Sequence, residues 1–228
     1  MARLCLIKIS RHLRSGNSLL TCAALLACFL TGCTTASRST SESFLLLVNK
    51  QAKASPIEVA ANRFPQAQIR TPDLSALIVL GYVDGGRQTW YAADLAVFHL
   101  NSQGLLTGTT GLGRSIQARI NGASPFDHLE LLVSPVRIER EYDWIPSYRF
   151  GVPVSSTLYR AGTETIDILG RKMELARFEE ELEGGGMDGR NIYWADPVTG
   201  FIWKSRQYLA PGYPVDLMQL KPYRQATD

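Results

Sequence analysis

Cysteine is nearly missing from this sequence: the chain holds four among 228 residues, Cys5, Cys22, Cys28 and Cys33. Beyond Cys33 there is accordingly no thiol to form a disulfide, attack a substrate or bind a metal. Histidine is rarer still, with three in the chain. His99 sits in an apolar stretch and His128 follows Pro125-Phe126-Asp127, so neither belongs to a ligand spacing such as His-Glu-x-x-His, and both read as structural or surface residues. A Gly-x-Ser-x-Gly elbow and a Walker A loop are absent. Gly108-Thr109-Thr110-Gly111-Leu112-Gly113 has the glycines of a phosphate loop but opens no helical pattern, and reads as a turn or mobile loop. Glu179, Glu180, Glu181 and Glu183 run into Gly184-Gly185-Gly186 and read as a solvated strand end. Carboxylates brought together from distant positions stay open as a catalytic pair. The reading is of a protein that is not an enzyme and needs no cofactor or metal.

Excess charge of one sign is missing too, although the formal +3 suggests otherwise. Arg3, Lys8, Arg11 and Arg14 lie in residues 1–32, which contain no acid, and the rest of the chain sets 20 basic residues against 21 acidic ones. Without a basic surplus there is no reason to expect a nucleic acid partner. Long hydrophobic runs are limited to Leu19–Leu30, too short to serve comfortably as a permanent span. That run follows the basic segment and ends in Leu30-Thr31-Gly32-Cys33, which resembles the lipobox of bacterial lipoproteins. The alternative, a general secretory signal with an incidental cysteine, fits the position and spacing of Cys33 less well. The sequence thus predicts a lipoprotein signal peptide over 1–32, cleavage before Cys33, and a diacylglyceryl group on its sulfur. Several acyl chains anchor stably where one is marginal. Thr34 stands where lipoproteins kept at the inner membrane carry Asp, so the expected location is the periplasmic face of the outer membrane. Residues 33–42 form a lipidated polar tether, and a coil of that length spans on the order of 17 Å.

What remains, 43–228, is enough for one core. Phe44–Val48 and Ile57–Ala61 predict two short helices broken at Ser55-Pro56, with Ser55 as N-cap. From there the pattern is β. Ala76–Val83 and Gln88–Ala92 form a hairpin around Asp84-Gly85-Gly86; Asp94–Leu100 and Leu105–Thr109 follow. Further candidates are Glu130–Val133, Tyr148–Tyr159, Glu164–Ile168, Lys172–Glu181, Arg190–Trp194 and Phe201–Leu209. The fold class is mainly β: a strongly curved antiparallel sheet or incomplete barrel, with short N-terminal helices.

Two segments carry unusual side chains. Asp196-Pro197-Val198-Thr199-Gly200 joins aromatic strands, and setting Ala195 opposite Phe201 places Tyr193 opposite Trp203 and Trp194 opposite Ile202. Arg137, Arg140, Tyr142, Trp144, Tyr148 and Arg149 mix guanidinium and aromatic groups around Pro146. Such a mixture stacks on sugar faces and bonds acidic groups, or packs a strand corner; Trp144, Tyr148 and Arg149 are the candidates for contact with a glycan or a partner.

Asp143–Gly151, Tyr193–Gly200, Lys204–Gln207 and Leu220–Tyr223, together with the lipoprotein start and the strand at Leu77–Leu80, resemble the YjbF/GfcB family of outer-membrane lipoproteins. The resemblance implies a link to group 4 capsule and related exopolysaccharides, and a curved sheet like the half-barrels of lipoprotein-localisation carriers. It supplies no catalytic residue. Two functions follow as expectations: a non-catalytic accessory factor in exopolysaccharide assembly or export, contacting envelope proteins or the glycan, or a carrier that holds an acyl chain or lipoprotein on a concave apolar face. Cells fed labelled palmitate should label the wild-type protein, and Cys33→Ser should abolish the label and leave an uncleaved precursor on immunoblots.

Overall fold

The computed structural model describes residues 54–223. The chain divides into Met1–Ser43 and Phe44–Asp228. Cys33, the tether and the expected helix at Phe44–Val48 lie outside the described residues.

Helix α1 (Pro56–Ala61) begins with Pro56 in the first turn; Ser55 holds the extended N-cap backbone, but its side chain makes no capping hydrogen bond. Twelve strands follow: β1 (Gln66–Arg70), β2 (Ser75–Asp84), β3 (Arg87–Ala92), β4 (Ala96–Leu100), β5 (Leu106–Gly111), β6 (Arg114–Ile120), β7 (Val136–Ile145), β8 (Arg149–Ile168), β9 (Arg171–Glu183), β10 (Arg190–Ala195), β11 (Ile202–Ala210) and β12 (Tyr213–Lys221). Each pairs antiparallel with the next, and β12 closes on β1 from Gln66↔Lys221 to Arg70↔Asp216. The sheet is therefore a closed barrel and not the incomplete one expected from sequence, and closure leaves no unpaired edge.

Alternation fills the interior. Trp90, Phe98, Leu106, Ile116, Tyr142 and Val215 point inward and pack together; the neighbouring cluster includes Phe126, Leu158, Phe178 and Tyr193. The side chains of these two clusters thus occupy the barrel interior. The outer wall is charged: Arg206 forks onto Asp216 at 2.7 and 3.0 Å, and Arg137 bonds Glu139 at 2.8 Å. A membrane-spanning barrel has the reverse polarity, with an apolar band facing lipid.

Three sequence expectations change here. Glu130–Val133 is not a strand: a 3-10 helix covers Pro125–Leu131, because Ser124 accepts from the Phe126 amide and Pro125 starts the turn. Phe126 and Leu129, three residues apart on one side of it, drop into the core. Of Gly108–Gly113, expected as a turn or mobile loop, 112–113 is the β5–β6 turn and the rest is strand, since β5 runs through Gly111. A Cβ at Gly108 would lie 2.7 Å from the Ile116 carbonyl, so glycine is what permits β6 to approach. The aromatic hairpin is shifted by a bulge after Trp194, pairing Ala195 with Ile202, Trp194 with Lys204 and Tyr193 with Ser205. Tyr193 thus faces the interior, whereas Trp194 joins Phe201 and Trp203 beneath the far half of the β8–β9 hairpin, against Ile166, Ile168 and Leu175.

The glutamate run is the largest correction. Glu180 is fully buried within the barrel. Its carboxylate accepts two bonds from Arg140, at 2.7 and 3.0 Å. Ser156, Asn191 and Tyr193 donate to it as well, at 2.6, 2.8 and 2.6 Å. Asn191 Oδ1 in turn accepts from the Tyr208 amide at 2.7 Å, so one network links β7 through β11. Burial alone would raise the Glu180 pKa, but the charge and bonds of Arg140, with Ser156 and Tyr193, hold it below the ordinary value. Burial, followed by the Glu180 charge, pushes the Tyr193 phenol far above its usual range.

Removing one member of such a pair strands the other in the core at a cost of about 3–5 kcal/mol, while an apolar replacement of both is much milder. Urea unfolding should therefore show a large loss for Glu180→Gln and a smaller one for the double change Arg140→Met with Glu180→Leu. Because the folded pKa of Glu180 is depressed, its contribution is complete above the ordinary carboxylate pKa and disappears as pH falls through the folded value. In acid titration the wild type should lose stability over that range more steeply than Glu180→Gln.

Candidate functional site

An antiparallel barrel in chain order puts alternate turns at the same end. One end gathers the turns at 71–74, 93–95, 112–113, 146–148, 184–189 and 211–212. Between them opens a concavity of about 450 Å³ lined by Arg114, Trp144, Ile145, Pro146, Arg149 and Pro211 among others.

Trp144 occupies the last inward position of β7. Its indole Nε1 donates to the Leu209 carbonyl at 2.8 Å, fixing the ring against β11. The guanidinium of Arg149 lies over that ring, 4.9 Å from its centroid, and its Nη1 donates to the Gly185 carbonyl at 3.3 Å. Gly185 has φ +64°, and a Cβ there would come 2.9 Å from Val152 and 3.4 Å from the Trp144 ring. The 184–189 loop can close over the barrel end only with glycine at this point.

Arg114 opens β6 opposite them. Its guanidinium lies 4.4 Å over the Tyr213 ring, and Nη2 approaches the Asp73 carboxylate at 3.4 Å. The buried Nε of Arg114 makes no hydrogen bond. Behind the site, Asp143 accepts from the Gly151 amide at 2.8 Å and from Arg119 at 3.1 Å; chiefly through the Arg119 bond its pKa falls to about 2.

The residues grouped by sequence thus separate. Arg137 pairs with Glu139 and Ser155 on the outer wall, and Arg140 and Tyr142 are interior. Trp144 and Arg149 meet in the concavity, and Tyr148 sits beside it, 75 % exposed and outside its lining. Arg114 was missed. It lies thirty residues before Trp144, and only the pairing of β6 with β7, Ser115↔Ile145 and Ile116↔Trp144, brings it to the same rim. The one local signal is the Gly111-Leu112-Gly113 turn that precedes it.

The lining contributes two guanidinium groups, a hydroxyl and apolar walls, and no carboxylate, imidazole or thiol. Its donors are planar guanidinium groups, of the kind that pair with carboxylate or phosphate. Elsewhere, Trp194, under the Lys204 ammonium at 4.2 Å, borders an outer-wall groove of about 330 Å³ with Arg70, Arg206 and Asp216. At the opposite barrel end Arg119, Asp127 and Arg140 line a third hollow of about 380 Å³. Among the described residues no group of three His, Cys, Asp or Glu is placed to hold a metal ion.

Known proteins are similar to this chain in sequence and in fold. A family model described as group 4 capsule polysaccharide lipoprotein GfcB, YjbF matches residues 26–220. The uncharacterized lipoprotein GfcB of Escherichia coli K12 is 27% identical over 213 residues, 87% of this chain and 96% of its own length. The crystal structure of the hypothetical lipoprotein YmcC from Escherichia coli K12 superposes with a TM-score of 0.67 at 26% identity, covering 75% of this chain and 91% of that one. The resemblance carried by Asp143–Gly151 and Tyr193–Gly200 thus extends through the barrel, and the chain belongs to the YjbF family of group 4 capsule polysaccharide lipoproteins.

Proposed function

We propose that this protein is a lipid-anchored accessory factor, held by Cys33 at the periplasmic face of the outer membrane, that serves the assembly or export of a capsule or related exopolysaccharide without catalysing a reaction. It acts by contact with envelope proteins of the export system or with the glycan. The family supplies the capsule connection. The observation that carries the mode of action is the filled barrel: Trp90, Phe98, Tyr142, Phe178 and Tyr193 occupy its interior with under 2 % exposure.

A carrier of acyl chains needs an apolar hollow that buries most of its cargo. Here the inward side chains pack on one another, and the concavities described above open at the two ends and on the outer wall, each setting arginines among apolar walls. Their arginines favour a partner that brings negative charge along with its apolar surface. The accessory role is therefore preferred to the carrier role.

Deleting the gene should lower surface polysaccharide, measured by dye binding or immunoblotting of shed and cell-bound glycan. The wild-type gene should restore it, and Cys33→Ser should restore it poorly. Unchanged polysaccharide in the deletion strain, together with lipid co-purifying with the protein, would favour the carrier instead.

A further inference from the structure

The Trp144 rim combines three features that bear on one ligand class. Both of its arginines are fixed by stacking: Arg149 on Trp144 at 4.9 Å and Arg114 on Tyr213 at 4.4 Å. Stacking occupies the faces of the guanidinium planes and leaves their N–H edges able to donate. The two charges are compensated unequally. Arg149 makes no ion pair among the described residues, and Arg114 has Asp73 at 3.4 Å as its ion-pair contact. Finally, the Nε of Arg114 is buried beside the concavity without a hydrogen-bond partner, which is costly unless a ligand supplies one.

We propose that this pocket binds the anionic group of an acidic saccharide, a carboxylate or a phosphate, between the guanidinium groups of Arg114 and Arg149. The sugar ring rests against Ile145, Pro146 and Pro211. This assignment rests on the polysaccharide reading above and narrows it to one site and one ligand class. The hollow of about 450 Å³ falls within the range of small-ligand pockets. Its walls are apolar, as the faces of a pyranose require, and its donors converge from two strands, β6 and β8. Arg149 is further positioned by the Gly185 carbonyl, so the 184–189 loop sets the direction of one donor. Because both forks are immobilised before the ligand arrives, little side-chain entropy is lost on binding.

The test uses full-length lipidated protein in nanodiscs, titrated calorimetrically with four probes. These are a hyaluronan hexasaccharide, its carboxyl-reduced form, phosphorylated maltohexaose and plain maltohexaose. At least one acidic probe should bind about ten-fold or more tightly than its neutral counterpart; which one does so distinguishes a uronate ligand from a sugar phosphate. Arg114→Gln and Arg149→Gln should each weaken that binding by roughly ten-fold, as loss of a charge-assisted hydrogen bond does. The double variant should bind nothing measurable while melting at the wild-type temperature, and Arg137→Gln on the outer wall should bind normally. Equal affinity for acidic and neutral probes, wild-type affinity in the double variant, or no binding by any probe would overturn the proposal. In cells, full recovery of polysaccharide by the double variant in the deletion strain would also overturn it, leaving the accessory role in place. Unchanged polysaccharide in the deletion strain itself would instead remove the accessory role, while the calorimetry still decides the pocket.

Discussion

The barrel is organised around a buried charge pair. Arg140 and Glu180 have side-chain exposures of 3% and 0%. Desolvating both is expensive, and the cost is offset only if every donor and acceptor finds a partner in good geometry. Glu180 meets that demand with Arg140, Ser156, Asn191 and Tyr193, each supplied by a different strand position between β7 and β10. The pair therefore constrains the register of four neighbouring strands at once. A one-residue slip of any of them would turn its contributor to the solvent face. Apolar packing fills the rest of the interior, but it tolerates rearrangement in a way that this network does not.

A filled interior moves recognition to the ends and the outer wall, where loops and strand ends present side chains with fixed backbones beneath them. The rim at Trp144 illustrates how the scaffold does this. Trp144 is an interior residue of β7 that reaches the edge of the core, and its ring becomes the platform for Arg149. Tyr213 plays the same part for Arg114 from the start of β12. In both cases a core aromatic holds a surface cation, so the core sets the geometry of the rim. The outer wall is organised differently, with Arg206 and Asp216 satisfying each other across β11 and β12.

Much of this was legible in the chain. The short spacing of Gly and Pro turns marked a β-rich antiparallel fold, and the segments around Trp144 and Trp194 marked the family. Closure was not legible, because β6, β7 and β12 place charged or polar residues where a simple alternation expects apolar ones. Arg140 in an inward position of β7 hides the period of Ile138, Tyr142 and Trp144. The glutamates Glu179–Glu181 hide that of β9 in the same way, since a buried acid and a solvated one look alike until the partner is placed. Arg114 could not be joined to Arg149 for a similar reason: their proximity depends on strand pairing and not on any local motif. Phe126 shows the remaining kind of miss, where Ser124-Pro125 capping chemistry overrides the apolar run that follows.

The described chain begins at Ala54, and α1 leads into β1 at the end where Gln66 meets Lys221. Lys221 donates from Nζ to the Asn62 carbonyl at 2.7 Å, clamping the incoming segment to the last strand. From there β1 runs toward Arg70 and the turn carrying Asp73, which is the rim of the arginine pocket. The start of β1 and the pocket are thus at opposite ends of the barrel. A ten-residue strand such as β7 rises on the order of 30 Å before tilt is taken into account. Strand length along the barrel wall therefore sets the separation between the start of β1 at Gln66 and the two arginines at the far end.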